Sequence, residues 1–293
     1  MGNAVKTVEQ QADRSLKWKK LFSKSVSFLG LIVLVAFFAI ATGGQLLNPD
    51  NLMLIFKQGF TLFIAALAAV FIMATGNLDF SIGANIGFSC AVCALTAKAL
   101  SPVAGVAAAV CVGALIGAAN GVIITKFKMP SFITCLCMMF ILMAATQTLC
   151  SNEGGSISMP LSMRKWESVG MYIVIGAVYF AVMLVMFRFT KFGKYMKALG
   201  VSPEAARQSG VGVNKMIFLG YLLSGAAAGF AGFLTMLRVG GASQTTGMAM
   251  TNDVIVAIVF GGMSISGGAT SKISAALLGM LIVTTLNNGM VLA

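Results

Sequence analysis

Histidine is missing altogether, and acidic residues are scarce, with eight Asp and Glu in 293 residues. Without histidine there is no Cys/His zinc site and no imidazole to act as a general base. Charge of either sign is thin. Charged residues make up 10% of the chain, against about 25% in soluble globular proteins. The shortage runs along the whole length, so no soluble domain is visible. No G-x-x-x-x-G-K-[ST] occurs, which removes a P-loop as a route to ATP. Gly267-Gly268-Ala269-Thr270-Ser271-Lys272 is glycine-rich but lacks that order. An enzyme, a cofactor and a metal centre are therefore not expected. If the chain takes part in active transport, the energy comes from an ion gradient or from a separate ATPase.

Apolar surface is what the chain has in plenty: 58% of residues are hydrophobic and the mean hydropathy is +0.94. This describes an all-α polytopic membrane protein surrounded by lipid. The net charge of +12 is then no sign of a nucleic-acid partner. It is the excess of Lys and Arg that cytoplasmic loops carry. Cys90, Cys93, Cys111, Cys135, Cys137 and Cys150 all lie within or beside apolar runs. They read as small buried hydrophobes, the Cys90-x-x-Cys93 pair included. The long mixed-charge start, before any apolar run, argues against a cleaved signal peptide.

About 20 apolar residues cross a bilayer core, and on that measure about nine spans are expected. They fall at 26–47, 59–75, 82–100, 102–125, 132–150, 171–187, 216–237, 254–262 and 273–293. Residues 1–25 form a basic cytoplasmic segment and 26–293 the transmembrane domain. Residues 52–58 read as interfacial, with Lys57 snorkelling. With the N-terminus inside, the loops holding Lys126, Lys128, Arg188, Lys191, Lys194, Lys197, Arg207 and Lys215 are cytoplasmic. An odd count leaves the C-terminus outside, and the abrupt apolar ending suggests a missing last span. Gly113 to Gly121 and Gly279 to Gly289 both place Asn-Gly late in a glycine-bearing helix, which hints at two related halves.

Two Gly/Ser-rich breaks stand out, at 76–81 and 261–270. The first reads as re-entrant and requires protein or a watery cavity over its backbone. Asp79 is either an N-cap for the third span or a cavity-lining or gating group. Asp253, at the entrance to the eighth span, has the same two readings. Asn120, Asn287 and Asn288 are interhelical hydrogen-bonders or, with the two carboxylates, members of a translocation path. Gly105, Ala109, Gly113, Gly117 and Gly121, and likewise Gly225, Gly229 and Gly232, form small-residue faces for close helix packing.

The longest polar, basic stretch after the N-terminus is 188–215. Within it, Ser202 is a ready N-cap, Pro203 fits the first helical position, Glu204 suits the positive end of the dipole and Gly210 is a ready stop. The expected product is a short helix at 203–209, held outside the membrane, as the socket for a soluble motor subunit.

Four motifs in order resemble those of simple-sugar ABC importer permeases of the ribose/xylose/galactose type. Gly76-Asn-Leu-Asp79-Phe-Ser-Ile-Gly83 is similar to G-G-I-D-L-S-V-G. Phe192-Gly-Lys-Tyr-Met-Lys-Ala-Leu-Gly200 with Glu204-Ala-Ala-Arg-Gln-Ser-Gly210 is similar to F-G-R-x-x-x-A-x-G…E-A-A-R-x-S-G. Asp253 to Gly268 is similar to D-A-I-A-A-V-V-L-G-G-x-S-L-S-G-G, and Leu286-Asn-Asn-Gly289 matches L-N-N-G. The resemblance implies a type II importer-like permease of about ten spans in a bacterial inner membrane. It implies a cytoplasmic ABC ATPase, an extracytoplasmic substrate-binding protein and a second permease copy or paralogue as partners. Residues 203–209 would be the coupling helix, with Pro203, Glu204, Ala205, Ala206 and Gly210 at the ATPase. The chain departs from the pattern at Asn77, where Gly is usual, and at Ala269-Thr270, where Arg-Gly is usual. Rival readings are a permease for nucleosides or branched-chain amino acids on the same scaffold, and an ion-coupled secondary carrier.

Overall fold

A computed structural model describes residues 27–293, so the expected basic segment at 1–25 lies outside the described residues. Eleven helices follow one another: α1 (Ser27–Ala41), α2 (Pro49–Ala74), α3 (Ile82–Ala99), α4 (Pro102–Lys126), α5 (Ser131–Asn152), α6 (Val169–Arg188), α7 (Lys191–Val201), α8 (Pro203–Gln208), α9 (Val213–Val239), α10 (Met250–Phe260) and α11 (Ser274–Leu292). Seven of them, α2 to α6, α9 and α11, are long and apolar enough to cross a membrane, while α1 and α10 are shorter apolar helices. The all-α polytopic expectation holds.

Helix starts follow local chemistry. Asn48, Ser101, Ser168 and Ser202 each accept a backbone N–H from the first turn that follows, and Pro occupies the start of α2, α4 and α8. These are the capped starts expected where orphan donors need a partner. Nothing breaks α2 once Pro49 has begun it. Residues 52–58 are therefore the first turns of a transmembrane helix and not a separate interfacial piece. Lys57 does not snorkel alone: its Nζ lies 2.7 Å from Glu167.

Helix α2 is the axis of the bundle. Every residue from Gly59 to Ala74 is buried, chiefly beneath α9, α11, α10 and α6. The most extensive pair is α4 against α9. A Cβ on Gly113 would sit 2.4 Å from Gly225 O, and one on Gly117 would sit 2.2 Å from Tyr221 O. The glycine faces let these backbones touch, as the four-residue spacing predicts. A two-stranded ladder, β1 (Ser156–Ser158) with β2 (Gly241–Ser243), ties the loop before α6 to the end of α9. The outer helices expose Phe37, Phe140, Ile141, Val174 and Val178, apolar surface that suits a lipid solvent and not water.

The stretch at 188–215 is more structured than expected. Besides α8 it holds α7, a helix with Met196 and Leu199 buried and Lys191 and Lys194 exposed. Its apolar residues recur at helical spacing, but its lysines make it read as a loop.

Candidate functional site

Helix α8 forms where the cap and the stop are expected. Ser202 Oγ accepts from Ala205 N at 3.2 Å, and Glu204 sits in the first turn. Gly210, at φ +81°, turns the chain, and Val211 N donates to Ala206 O at 3.0 Å. Only Ala206 faces inward. It packs with Leu199, Val211 and Val213, whereas Pro203, Glu204, Ala205, Arg207 and Gly210 are exposed. Of the residues proposed to meet a partner, Ala206 therefore anchors α8 to its own protein and the others form an outward face.

From this face a packed path leads inward. Helix α7 joins α8, and in its last turn lies Gly200, where a Cβ would lie 2.0 Å from Ala74 O and 2.5 Å from Gly268 N. Ala74 ends α2, and Gly268 belongs to the second break. Gly268 N donates to Ala74 O at 2.9 Å. The two breaks, unrelated in sequence position, thus meet each other at the end of α7.

The first break then folds over Asp79. Its Oδ1 accepts from Ser81 N at 3.0 Å and from Ser81 Oγ at 2.6 Å, and its Oδ2 accepts from Ser224 Oγ on α9 at 3.1 Å. Asn120 Nδ2 on α4 donates to Ser81 Oγ at 2.8 Å, and Tyr221 Oη donates to Leu78 O at 3.0 Å. Asp79 is 7% exposed and Asn120 fully buried. The carboxylate is not the N-cap of α3, a position that Ser81 holds without a side-chain cap; it accepts from the Ser81 amide just before the helix and binds the break to α9. Ser224 lies about 16 Å along α9 from Val213 at 1.5 Å per residue, which puts the node at membrane depth.

Asp253, Asn287 and Asn288 are not brought to this node. Asn287 Nδ2 donates to Asp253 Oδ1 at 3.3 Å, joining α11 to α10. Asn288 exchanges hydrogen bonds with Asn51 of α2, both at 2.9 Å. The five residues expected along one path therefore fall into three hydrogen-bonded groups: the Asp79–Asn120 node and the two clasps, Asp253–Asn287 and Asn288–Asn51. Ser81, Ser224, Asn51 and Tyr221 were missed as site residues. Of these Ser81 carried a signal, standing in the first break and its motif, and so did Ser224, which precedes Gly225 in the small-residue face of α9.

A basin of about 790 Å³ opens beside α8. It is lined by Arg207, by Lys128 and Lys215, and by Asn77 of the first break. Asn77 departs from the usual Gly, and its Nδ2 donates to Thr75 Oγ1 at 2.9 Å. Of the first break, Asn77 lines this basin.

Charge is uneven between the two ends of the bundle. At the α8 end, among the described residues, Lys126, Lys128, Arg188, Lys191, Lys194, Lys197, Arg207, Lys215 and Lys272 stand against one acid, Glu204. The ion pairs among the described residues, Lys57–Glu167 and Lys98–Glu153, both sit at the other end.

The family model described as "Branched-chain amino acid transport system / permease component" matches residues 51–293. The chain belongs to this permease family. The ribose import permease protein of Escherichia coli (strain K12) is 30% identical, over 97% of this chain and 91% of the relative. The fructose import permease protein of Rhizobium meliloti is 30% identical, over 91% of this chain and 78% of the relative. The galactose/methyl galactoside import permease protein of Escherichia coli (strain K12) is 30% identical, over 90% of this chain and 85% of the relative. No solved structure matches. The permease is thus a membrane-embedded transport subunit, as its motifs lead one to expect, and its relatives are permeases rather than enzymes.

Proposed function

We propose that this permease is the membrane subunit through which an ATP-driven importer moves a simple sugar or sugar-like solute into the cell. A cytoplasmic ABC ATPase grips α8, an extracytoplasmic binding protein delivers the solute, and a second copy or paralogue of the permease completes the path. The N-terminus and α8 face the cytoplasm of a bacterium whose inner membrane holds the spans. The charge excess at the α8 end supports that orientation. The names of the relatives support sugar over amino acids, although the family description also covers permeases for the latter.

The observation that carries the reading is the continuous contact from α8 through Gly200 to both breaks. When the ATPase closes on ATP, it moves α8 and α7 as a lever. Gly200 bears directly on the carbonyl of Ala74 and the amide of Gly268. At those points α2–α3 and α10–α11 are interrupted, so their segments tilt without breaking helical hydrogen bonds. The Asp79 node keeps the start of α3, α4 and α9 together during that tilt.

Glu204→Lys and Ala205→Trp alter only the exposed face. Both variants are expected to insert and fold normally, yet to lose co-purification with the ATPase and solute uptake. Normal co-purification would overturn the docking assignment. Labelled ribose, fructose and galactose, tested against leucine and a nucleoside, fix the substrate class. Uptake of leucine alone would move the permease to the amino-acid branch.

A further inference from the structure

A second groove, of about 540 Å³, lies where the end of α6, α7 and the segment entering α11 converge. Its rim carries Arg188, Lys197 and Lys272, and none of the described residues lining it is acidic. Two of the cations rest on aromatic rings. Lys197 Nζ lies 4.2 Å from the centre of the Phe187 ring, and the Arg188 guanidinium lies 5.6 Å from that of Phe189. Burial and the neighbouring Arg188 both push the Lys197 ammonium below its ordinary lysine value, a repulsion that an anion between them would relieve. Ser271 lines the same groove. It is 4% exposed, yet its hydroxyl has no hydrogen-bond partner. A buried hydroxyl in that state has a donor and lone pairs free for a water or a ligand. Helix α11 begins in the groove at Ser274, which places the positive end of its dipole there, although the Ala275 and Ala276 N–H groups already donate to Lys272 O and Ile273 O.

The inner wall is apolar: Phe180, Leu184 and Leu278 line it. On α6, Phe180, Leu184 and Phe187 recur at helical spacing along one face, so the wall runs lengthwise along that helix. We propose that the groove binds an anionic phospholipid, with the phosphate among Arg188, Lys197, Lys272 and Ser271 and an acyl chain along α6. The apolar wall selects a lipid over a free phosphate, which would use only the rim. Basic pockets between transmembrane helices hold anionic headgroups in this way. The proposal rests on the function above only for the leaflet, which is the cytoplasmic one. Binding by the purified subunit does not depend on what it transports.

The test is native mass spectrometry of the full-length permease in neutral detergent, titrated with phosphatidylglycerol or phosphatidylcholine. The wild type is expected to retain phosphatidylglycerol in preference. Lys197→Gln and Lys272→Gln should each weaken that retention about fivefold, the effect of about one cation near a headgroup. Lys197→Arg and Lys272→Arg should restore it, while Lys128→Gln with Lys215→Gln, in the other basin, should leave it unchanged. Ser271→Ala should weaken lipid retention without lowering the melting temperature of the lipid-free protein, which a purely structural serine would lower. Equal retention of the two lipids, or equal loss in the Lys128/Lys215 control, would overturn the proposal. Displacement of the lipid by millimolar inorganic phosphate would also overturn it and leave a free-anion site.

Discussion

Asp79 carries the greatest consequence at the scale of single residues. It accepts from three donors, the Ser81 amide, the Ser81 hydroxyl and the Ser224 hydroxyl. Asp79→Ala strands all three, and a buried polar group left unmade costs about 1–3 kcal/mol. Thermal unfolding in detergent should show a large loss for Asp79→Ala and a smaller one for Ser224→Ala, which removes one donor only. An unchanged melting temperature in Asp79→Ala would mean that the node is not stabilising. Half of this role was legible in advance. A carboxylate two residues before Ser81 can reach its amide by local geometry alone. The bond to Ser224 joins residues 145 apart in sequence, and it exists only because α3 and α9 meet, which no local pattern reports. Asp253 and Asn287 show the same limit. Their polar character was visible, but their separation from Asp79 depends on where α10 and α11 lie.

Among the elements, the decisive contrast is between docking and transmission. Gly200→Ala leaves the face of α8 untouched but places a methyl against the backbone of Ala74 and Gly268. The variant is expected to co-purify with the ATPase and yet to import solute at least tenfold more slowly, about 1.4 kcal/mol in the barrier. Full uptake would show that force does not pass through this contact. Gly113→Val probes the α4–α9 pair, because its Cβ would press on Gly225 O and Gly229. It should lower the folded fraction in detergent, whereas Gly170→Ala, with open space around it, should not. Overpacking of this kind costs roughly 1–3 kcal/mol where the neighbours cannot move. Spans were the easiest elements to read, because lipid demands long apolar runs and the helix starts carry Ser, Asn and Pro signals. Helix α7 was hidden because it lies at the membrane surface. There a helix needs only one apolar face, and Lys191, Lys194 and Lys197 mask that face in the sequence.

Over the whole molecule, the permease is a lipid-facing shell around α2, with a basic end that carries α8 and an opposite end that carries the ion pairs. Those pairs are partly exposed and contribute at most about 1 kcal/mol each. The asymmetry of charge thus bears on orientation more than on stability. The two breaks meet beneath α7. In the proposed mechanism, a partner that grips α8 acts on both interruptions at once. Cysteine accessibility at position 205 tests this most directly, in a background with the exposed Cys111 and Cys137 replaced by Ala. Ala205→Cys should react with a membrane-impermeant maleimide in inside-out vesicles and not in intact cells, and bound ATPase should shield it. Labelling from outside intact cells, or no shielding by the ATPase, would contradict the account.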